Sequence, residues 1–77
     1  GNPDIFVIVM GQDKEPVIGA DVILYKGQKS SGKQIANGST DVSGVASFRK
    51  LEVANYYAQV IKNGVKITSD TLILSTR

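Results

Sequence analysis

Short apolar runs alternate with turn-forming clusters along the chain. The runs are about five to seven residues long and rich in Val, Ile, Tyr, Phe and Thr, and the clusters between them are rich in Gly, Asn, Asp, Pro and Ser. No window long enough for a helix keeps the i, i+3, i+4, i+7 apolar pattern without an interrupting Gly or β-branched residue. The pattern therefore predicts an all-β domain, in the form of a seven-stranded antiparallel β-sandwich.

The predicted strands differ in how much of their surface is apolar. The first is apolar on both faces, so we expect it to be central or covered. Ile35 is the only strongly apolar residue of the third, which we expect at a sheet edge. The loop 27–33 is the segment that we expect to be most mobile. In chain order the predicted strands span residues 5–10, 20–26, 34–40, 44–50, 56–62, 65–69 and 71–75. The last of these is a seventh strand or continues the sixth after a kink.

Alternation along these strands predicts which side chains reach the core. Ala46 and Phe48 should point inward, whereas Ser47 and Arg49 should point outward. The other sets expected to share a face are Val22 with Leu24; Ile23 with Tyr25; Tyr56, Ala58 and Val60; Tyr57, Gln59 and Ile61; and Leu72 with Leu74.

Two of the turns carry a specific local signal. Asn63 and Gly64 both tolerate positive φ, which a two-residue type I′ hairpin requires at its central positions. The Asp41 side chain can accept hydrogen bonds from backbone amides two or more residues further on, and Gly44 can take the positive φ that such a turn often needs. We therefore predict a tight hairpin at the first site and an Asx-type turn at the second.

Length and composition indicate one domain over residues 1–77. The chain has 77 residues, 42% of them hydrophobic, and a net charge of +2, which is consistent with a filled core and disfavours disorder. It begins Gly1-Asn2 without a methionine, so we interpret it as excised from a longer protein. No segment approaches the roughly 20 apolar residues that span a bilayer, and we expect no membrane insertion.

The residue types that are absent exclude several kinds of chemistry. The chain contains no Cys and no His. Disulfides, thiolate metal sites and a cysteine nucleophile are therefore excluded, and the commonest general base is missing. A calcium site at Asp41 and Ser43 would lack the usual alternating-acid spacing. We predict that the chain is not an enzyme and has no catalytic residue, cofactor or metal.

Three segments, taken in order, resemble a known family of domains. They are Pro16-Val17-Ile18-Gly19-Ala20-Asp21-Val22-Ile23-Leu24, then Thr40-Asp41-Val42-Ser43-Gly44-Val45-Ala46-Ser47-Phe48, and then Leu51 followed by Tyr56. This succession resembles the carboxypeptidase regulatory-like domains, relatives of the transthyretin-like and collagen-adhesin B-type folds. Bacterial immunoglobulin-like repeats of surface adhesins share much of it and are an alternative. The likeness covers about two-thirds of the chain and departs from the family at Ala54-Asn55, where a Gly usually precedes the tyrosine.

The resemblance implies an Ig-like or transthyretin-like sandwich with Greek-key topology. It also implies a non-catalytic appendage of a bacterial protein that is secreted, periplasmic or displayed on the cell surface. Tyr56 lies where a sandwich would use a tyrosine corner, with its ring buried and its hydroxyl bonded to nearby backbone.

Two groups of side chains are candidates for ligand binding. Tyr25 and Tyr57 could stack against a sugar, and Lys26, Lys29 and Lys33 could form an anion-binding patch. Tyr56 and Tyr57 must point to opposite faces, so at most one of them can be on the outside of that strand. The plainer alternative for the lysines is a solvated, flexible loop. The small net charge and the scarcity of aromatic residues near the lysines disfavour a nucleic-acid partner.

The sequence favours a structural or spacer module whose partners are neighbouring domains of the same chain. The alternative is a binding module that holds a protein or a glycan through its loops or through the edge strand 34–40. An edge strand presents unpaired backbone groups, which can accept a partner strand.

Overall fold

The computed structural model describes residues 3–28 and 31–66, and the backbone of residues 71–76. The elements are β1 (Asp4–Val9), β2 (Asp21–Lys26), β3 (Lys33–Ser39), β4 (Val45–Phe48), β5 (Tyr56–Lys62), β6 (Val65–Lys66) and β7 (Thr71–Thr76). Within the described residues no helix is long and apolar enough to cross a membrane.

The strands form two antiparallel sheets, ordered β4-β1-β7 and β3-β2-β5-β6. The prediction of an all-β fold is thus confirmed, and the arrangement is sandwich-like. Strand β6 is only two residues long, so six strands of four or more residues lie in the described part of the chain. The seven-strand count and the Greek-key connection stay predictions.

The core lies between the two sheets and follows the predicted alternation. Strand β1 is the middle strand of its sheet, as its apolar sequence predicted, and Val7 and Val9 on its inner face are fully buried. Val22 and Leu24 of β2 are fully buried opposite them, and Ala46 and Phe48 are buried while Ser47 and Arg49 are exposed. The buried hydrophobic residues are Ile5, Val7, Val9, Ala20, Val22, Leu24, Ala46, Phe48 and Val60. The predicted shared face of Leu72 and Leu74 concerns side chains outside the described residues.

Several strand boundaries differ from the prediction, and for the fourth strand the cause is left-handed backbone at its two ends. The fourth strand covers Val45–Phe48 rather than 44–50, since Gly44 (φ 77°) and Lys50 (φ 56°) are both left-handed. Strand β1 stops at Val9, and Met10 instead makes an isolated bridge to Pro16. Strand β3 includes Lys33, which the sequence placed in the loop, and it is an edge strand as expected. The predicted sixth strand is described only over Val65–Lys66.

Both predicted turns are present. Asp41 Oδ1 accepts hydrogen bonds from the amides of Ser43 (2.9 Å) and Val45 (3.0 Å), and Gly44 has φ 77°. Asn63 and Gly64 have φ values of 55° and 78°, as a type I′ turn requires. The first turn leads into β4 and the second leads into β6.

Thr40 holds the start of β2 against the end of β3. Its amide donates to Ala20 O (2.9 Å), its carbonyl accepts from Gly19 N (3.0 Å), and its Oγ1 accepts from Ala20 N (2.9 Å). Since Thr40 is 4% exposed, these bonds satisfy groups that would otherwise be costly to bury.

Hydrogen bonds join the corner between β4 and β5 to the beginning of β1. The Asp4 carboxylate accepts from Lys50 N (2.9 Å) and from Arg49 Nη1 (3.1 Å), and Leu51 N donates to Pro3 O (2.9 Å). Lys50 therefore keeps a left-handed conformation, unusual for a residue with a Cβ, because its amide has a fixed partner.

Tyr56 forms the predicted corner in part. Its hydroxyl donates to Glu52 O at 2.6 Å, as expected, but its ring is half-buried rather than buried and packs against the edge of the core. The departure from the family pattern does not place Asn55 in the left-handed region. Among the described non-glycine residues, the positive φ values belong to Lys14, Lys50 and Asn63.

Phe48 should carry a large share of the stability. It is 6% exposed within the core, so we expect Phe48→Ala to lower the free energy of unfolding by about 3–5 kcal/mol. Val53→Ala is the control, since Val53 is 67% exposed and should change stability by less than about 0.5 kcal/mol. Urea unfolding followed by circular dichroism measures both, and a Phe48→Ala midpoint equal to the parent's would contradict the inward assignment.

Substitutions at Gly44 and Gly64 distinguish two destabilising effects of adding a Cβ, which are backbone strain at positive φ and steric overlap with a neighbouring group. Both have φ near 77–78°, but a Cβ on Gly44 would lie 2.7 Å from Val9 O, whereas one on Gly64 meets nothing within 4 Å. We expect Gly64→Ala to cost about 1–2 kcal/mol for the left-handed backbone alone, and Gly44→Ala to cost clearly more. Equal shifts in the thermal midpoint would mean that the close approach to Val9 contributes nothing.

Candidate functional site

Tyr25 and Tyr57 lie side by side on the outer face of the four-stranded sheet. They are direct register partners between β2 and β5, and their rings are stacked with centroids 4.7 Å apart and planes 6° from parallel. A cross-strand aromatic pair of this kind contributes about 0.5–1.5 kcal/mol beyond the area that it buries. The structure therefore brings the two predicted tyrosines together, but each ring already uses one face against the other.

Gln59 is a polar neighbour that the sequence reasoning did not assign to this site. The Tyr25 hydroxyl lies 3.2 Å from Gln59 Oε1 and donates to it. Gln59 sits two residues after Tyr57 on the same face of β5, so the signal available in sequence was alternation alone. Knowing that β5 pairs with β2 was necessary to see that the amide reaches Tyr25.

The loop before β3 closes over the outer edge of the tyrosine pair. A Cβ built on Gly32 would overlap Tyr57 Cε1 and would lie 2.8 Å from Tyr57 Oη and 2.9 Å from Gln28 O. Gly32 is therefore required for this close approach rather than for an unusual φ. Both tyrosine rings are half-buried as a result, and a ligand that stacks on Tyr57 has to share it with this loop.

Lys26 belongs to a different cluster from the tyrosines. Its Nζ lies 2.6 Å from Glu52 Oε2, and the carbonyl of Glu52 accepts the Tyr56 hydroxyl. The hydrogen bond and then the charge of Glu52 raise the pKa of Lys26, and the same interactions from Lys26 lower the pKa of Glu52. Because the pair is solvent-exposed, we assign it a positioning role at the corner rather than a large stabilising one.

The predicted lysine patch is only partly described. Lys33 is exposed and is the register partner of Lys26 on β3, while Lys29 lies outside the described residues. Alternation directs Lys26 away from the face that carries Tyr25. The four described candidates thus form a tyrosine pair on one face and a Lys26–Lys33 register pair on the other. Ligand binding by either pair stays a prediction.

Several of the carboxylates accept hydrogen bonds from backbone amides. Asp4 binds Lys50 N, Asp13 Oδ1 accepts from Glu15 N at 3.1 Å, and Asp41 closes its turn. In the part of the chain that the structure describes, no group of three or more acidic, His or Cys residues is placed to hold a metal ion. The geometry of these acids is that of turn caps and ion pairs.

Comparison with known proteins gave no relative. No protein-family model, no curated protein and no solved structure matched the chain.

A double-mutant cycle measures whether the two tyrosines stabilise each other. We expect Tyr25→Leu and Tyr57→Leu to show a coupling free energy of about 0.5–1.5 kcal/mol in urea unfolding, since either change removes the stack. The matched control pairs Tyr25→Leu with Ile61→Ala, because Ile61 is on the same face but is the register partner of Asp21. A coupling no larger than this control would show that the rings only share a surface.

Proposed function

We propose that this chain is a non-catalytic structural module of a secreted, periplasmic or cell-surface bacterial protein, attached to its parent by adjacent ends. The observation that carries the proposal is the register of β1 with β7, in which Asp4 is opposite Thr76. Opposite residues of an antiparallel pair have Cα atoms about 4.5–5.5 Å apart. Flanking chain would therefore enter and leave at one end of the module.

This geometry favours a laterally attached module over an in-line spacer. A domain adds reach between its neighbours only if the chain enters and leaves at opposite ends. Adjacent ends are instead the arrangement in which a domain can be inserted into, or appended beside, a host fold without stretching it. A structural module can either space its neighbours apart or support the fold of one of them. Adjacent ends fit the supporting role better than the spacing role.

The non-catalytic part of the proposal is supported by the residues that are available. The chain has no His and no Cys. Asp4, Asp41 and Glu52 are bonded to backbone amides or to Lys26, which leaves them as fold-making groups. A general base or nucleophile would have to come from acids, serines or other side chains that lack the usual His activator.

We further propose that the fold is the seven-stranded Ig-like or transthyretin-like Greek key of the carboxypeptidase regulatory-like domains. The support is that the residues shared with that pattern have the roles that the pattern needs. Ala20 is buried at the start of β2, Asp41 and Gly44 form the turn before β4, and Tyr56 bonds Glu52 O.

Reading the coding sequence on both sides of this segment tests the proposed role. We expect an upstream secretion signal and at least one further domain in the same open reading frame. An open reading frame limited to this segment, without a signal, would contradict both the compartment and the attached-module role.

A second candidate is a binding module, and the exposed edge of β3 beside the Tyr25–Tyr57 pair is the observation that favours it. Glycan-array and peptide-library screens test it, with binders re-measured by titration. We expect loss of binding in Tyr25→Ala for a glycan and in Ile35→Lys for a strand-like peptide, since Ile35 is 42% exposed on the edge strand and a charge there opposes strand pairing. Val65→Ala, at the opposite edge of the sheet, is the control, and blank screens would remove this candidate.

A further inference from the structure

The outer face of the three-stranded sheet carries large apolar residues beside Ser47, where an antiparallel sheet would usually be polar. Phe6 and Ile8 alternate with the core residues of β1, and the register sets Ile8 opposite Val45 of β4. All three are half-buried, and the register with β7 sets positions 72 and 74, both leucine, opposite Ile8 and Phe6. Solvated sheet faces normally alternate to polar residues. We call Phe6, Ile8 and Val45 the β1 outer patch.

The charges at the two ends of this patch have opposite sign. Arg49 and Lys50 follow β4 at one end, and Arg49 is 63% exposed with its guanidinium 5.4 Å from the Phe6 ring centroid. The other end carries the exposed acids Asp13, Glu15 and Asp41. Among the described residues, each end also holds one group of the opposite sign, Asp4 beside Arg49 and Lys14 between the two acids of the turn. The basic and acidic ends are separated by the length of β1, about 20 Å at 3.4 Å per residue.

We propose that the β1 outer patch binds a second copy of this chain, with the β1 strands of the two copies antiparallel. A two-fold axis across the strands sets Arg49 and Lys50 of one copy against Asp13 and Glu15 of the other, twice by symmetry. An axis along the strands would instead bring like charges together, which is unfavourable. The charge pattern is thus complementary to itself in one orientation.

The size of the patch sets the strength of this dimer. Two strands of six residues and one of four, about 4.8 Å apart, present a face of roughly 260 Å² per copy. Two such faces bury about 520 Å² in total, below the roughly 1,200 Å² of stable complexes. The dimer is therefore weak and reversible, and it forms at high local concentration rather than at nanomolar levels.

Analytical ultracentrifugation over about 10 μM to 1 mM, at low and at high salt, tests the proposal. We expect the mass to rise from 8.2 kDa toward twice that value with concentration at low salt, and to rise less at high salt. A mass that stays at 8.2 kDa throughout would overturn the proposal and leave the patch for a different partner.

Two isoleucines give a matched pair of variants. Ile8 and Ile23 are both half-buried on the outer face of an interior strand, but they lie on opposite sheets. Thr retains the β-branched shape that suits a strand, so both variants should fold. We expect Ile8→Thr to weaken association by roughly tenfold and Ile23→Thr to leave it unchanged. Equal effects of the two would assign any association to another surface and overturn the proposal.

Charge reversal tests the antiparallel orientation. We expect Glu15→Arg alone and Lys50→Glu alone to weaken association, and the double variant to restore it, because the opposed pair is rebuilt with its signs exchanged. Thermal melting confirms that each variant is folded. Failure of the double variant to recover more than either single variant would contradict this orientation.

Discussion

The structure depends on the apolar contact between the inner faces of β1 and β2. These strands lie in the interior of different sheets, and Val7, Val9, Val22 and Leu24 are its largest fully buried side chains. A chain of 77 residues can bury only a small area of apolar surface on folding. Its stability therefore depends on a few apolar residues that are buried completely rather than on many that are buried in part. The hydrogen-bonded turns fix the register of the strands, and this register places the apolar side chains against each other.

Features set by neighbouring residues were readable from the sequence. Alternation identified the inward faces at Val22 and Leu24 and at Ala46 and Phe48, because a strand repeats every two residues whatever it pairs with. The hairpin at Asn63-Gly64 and the turn at Asp41 were readable for the same reason, since the groups that stabilise them lie within four residues. The weak, polar third strand was correctly placed at an edge.

Features that depend on which strands are neighbours were not readable. The hydrogen bond between Lys50 N and the Asp4 carboxylate joins residues 46 positions apart, and the Tyr25–Gln59 hydrogen bond joins residues 34 positions apart. The left-handed backbone at Lys50 carries no sequence signal, because lysine has no preference for it. At the candidate site, alternation correctly separated Tyr56 from Tyr57, but the stack of Tyr57 on Tyr25 and the pairing of Lys26 with Glu52 required the strand order.

The pairing of β1 with β7 also constrains when the domain can form during synthesis. Strand β1 pairs on one side with β7, so the three-stranded sheet can be completed only after β7 has been synthesised. Until then the apolar residues of β1 are held only by β4 or by nothing, which exposes them to chaperones and to other nascent chains. Contacts of such long sequence separation slow folding. The pairing of β1 with β7 therefore makes completion of the three-stranded sheet a late step in the folding of this domain.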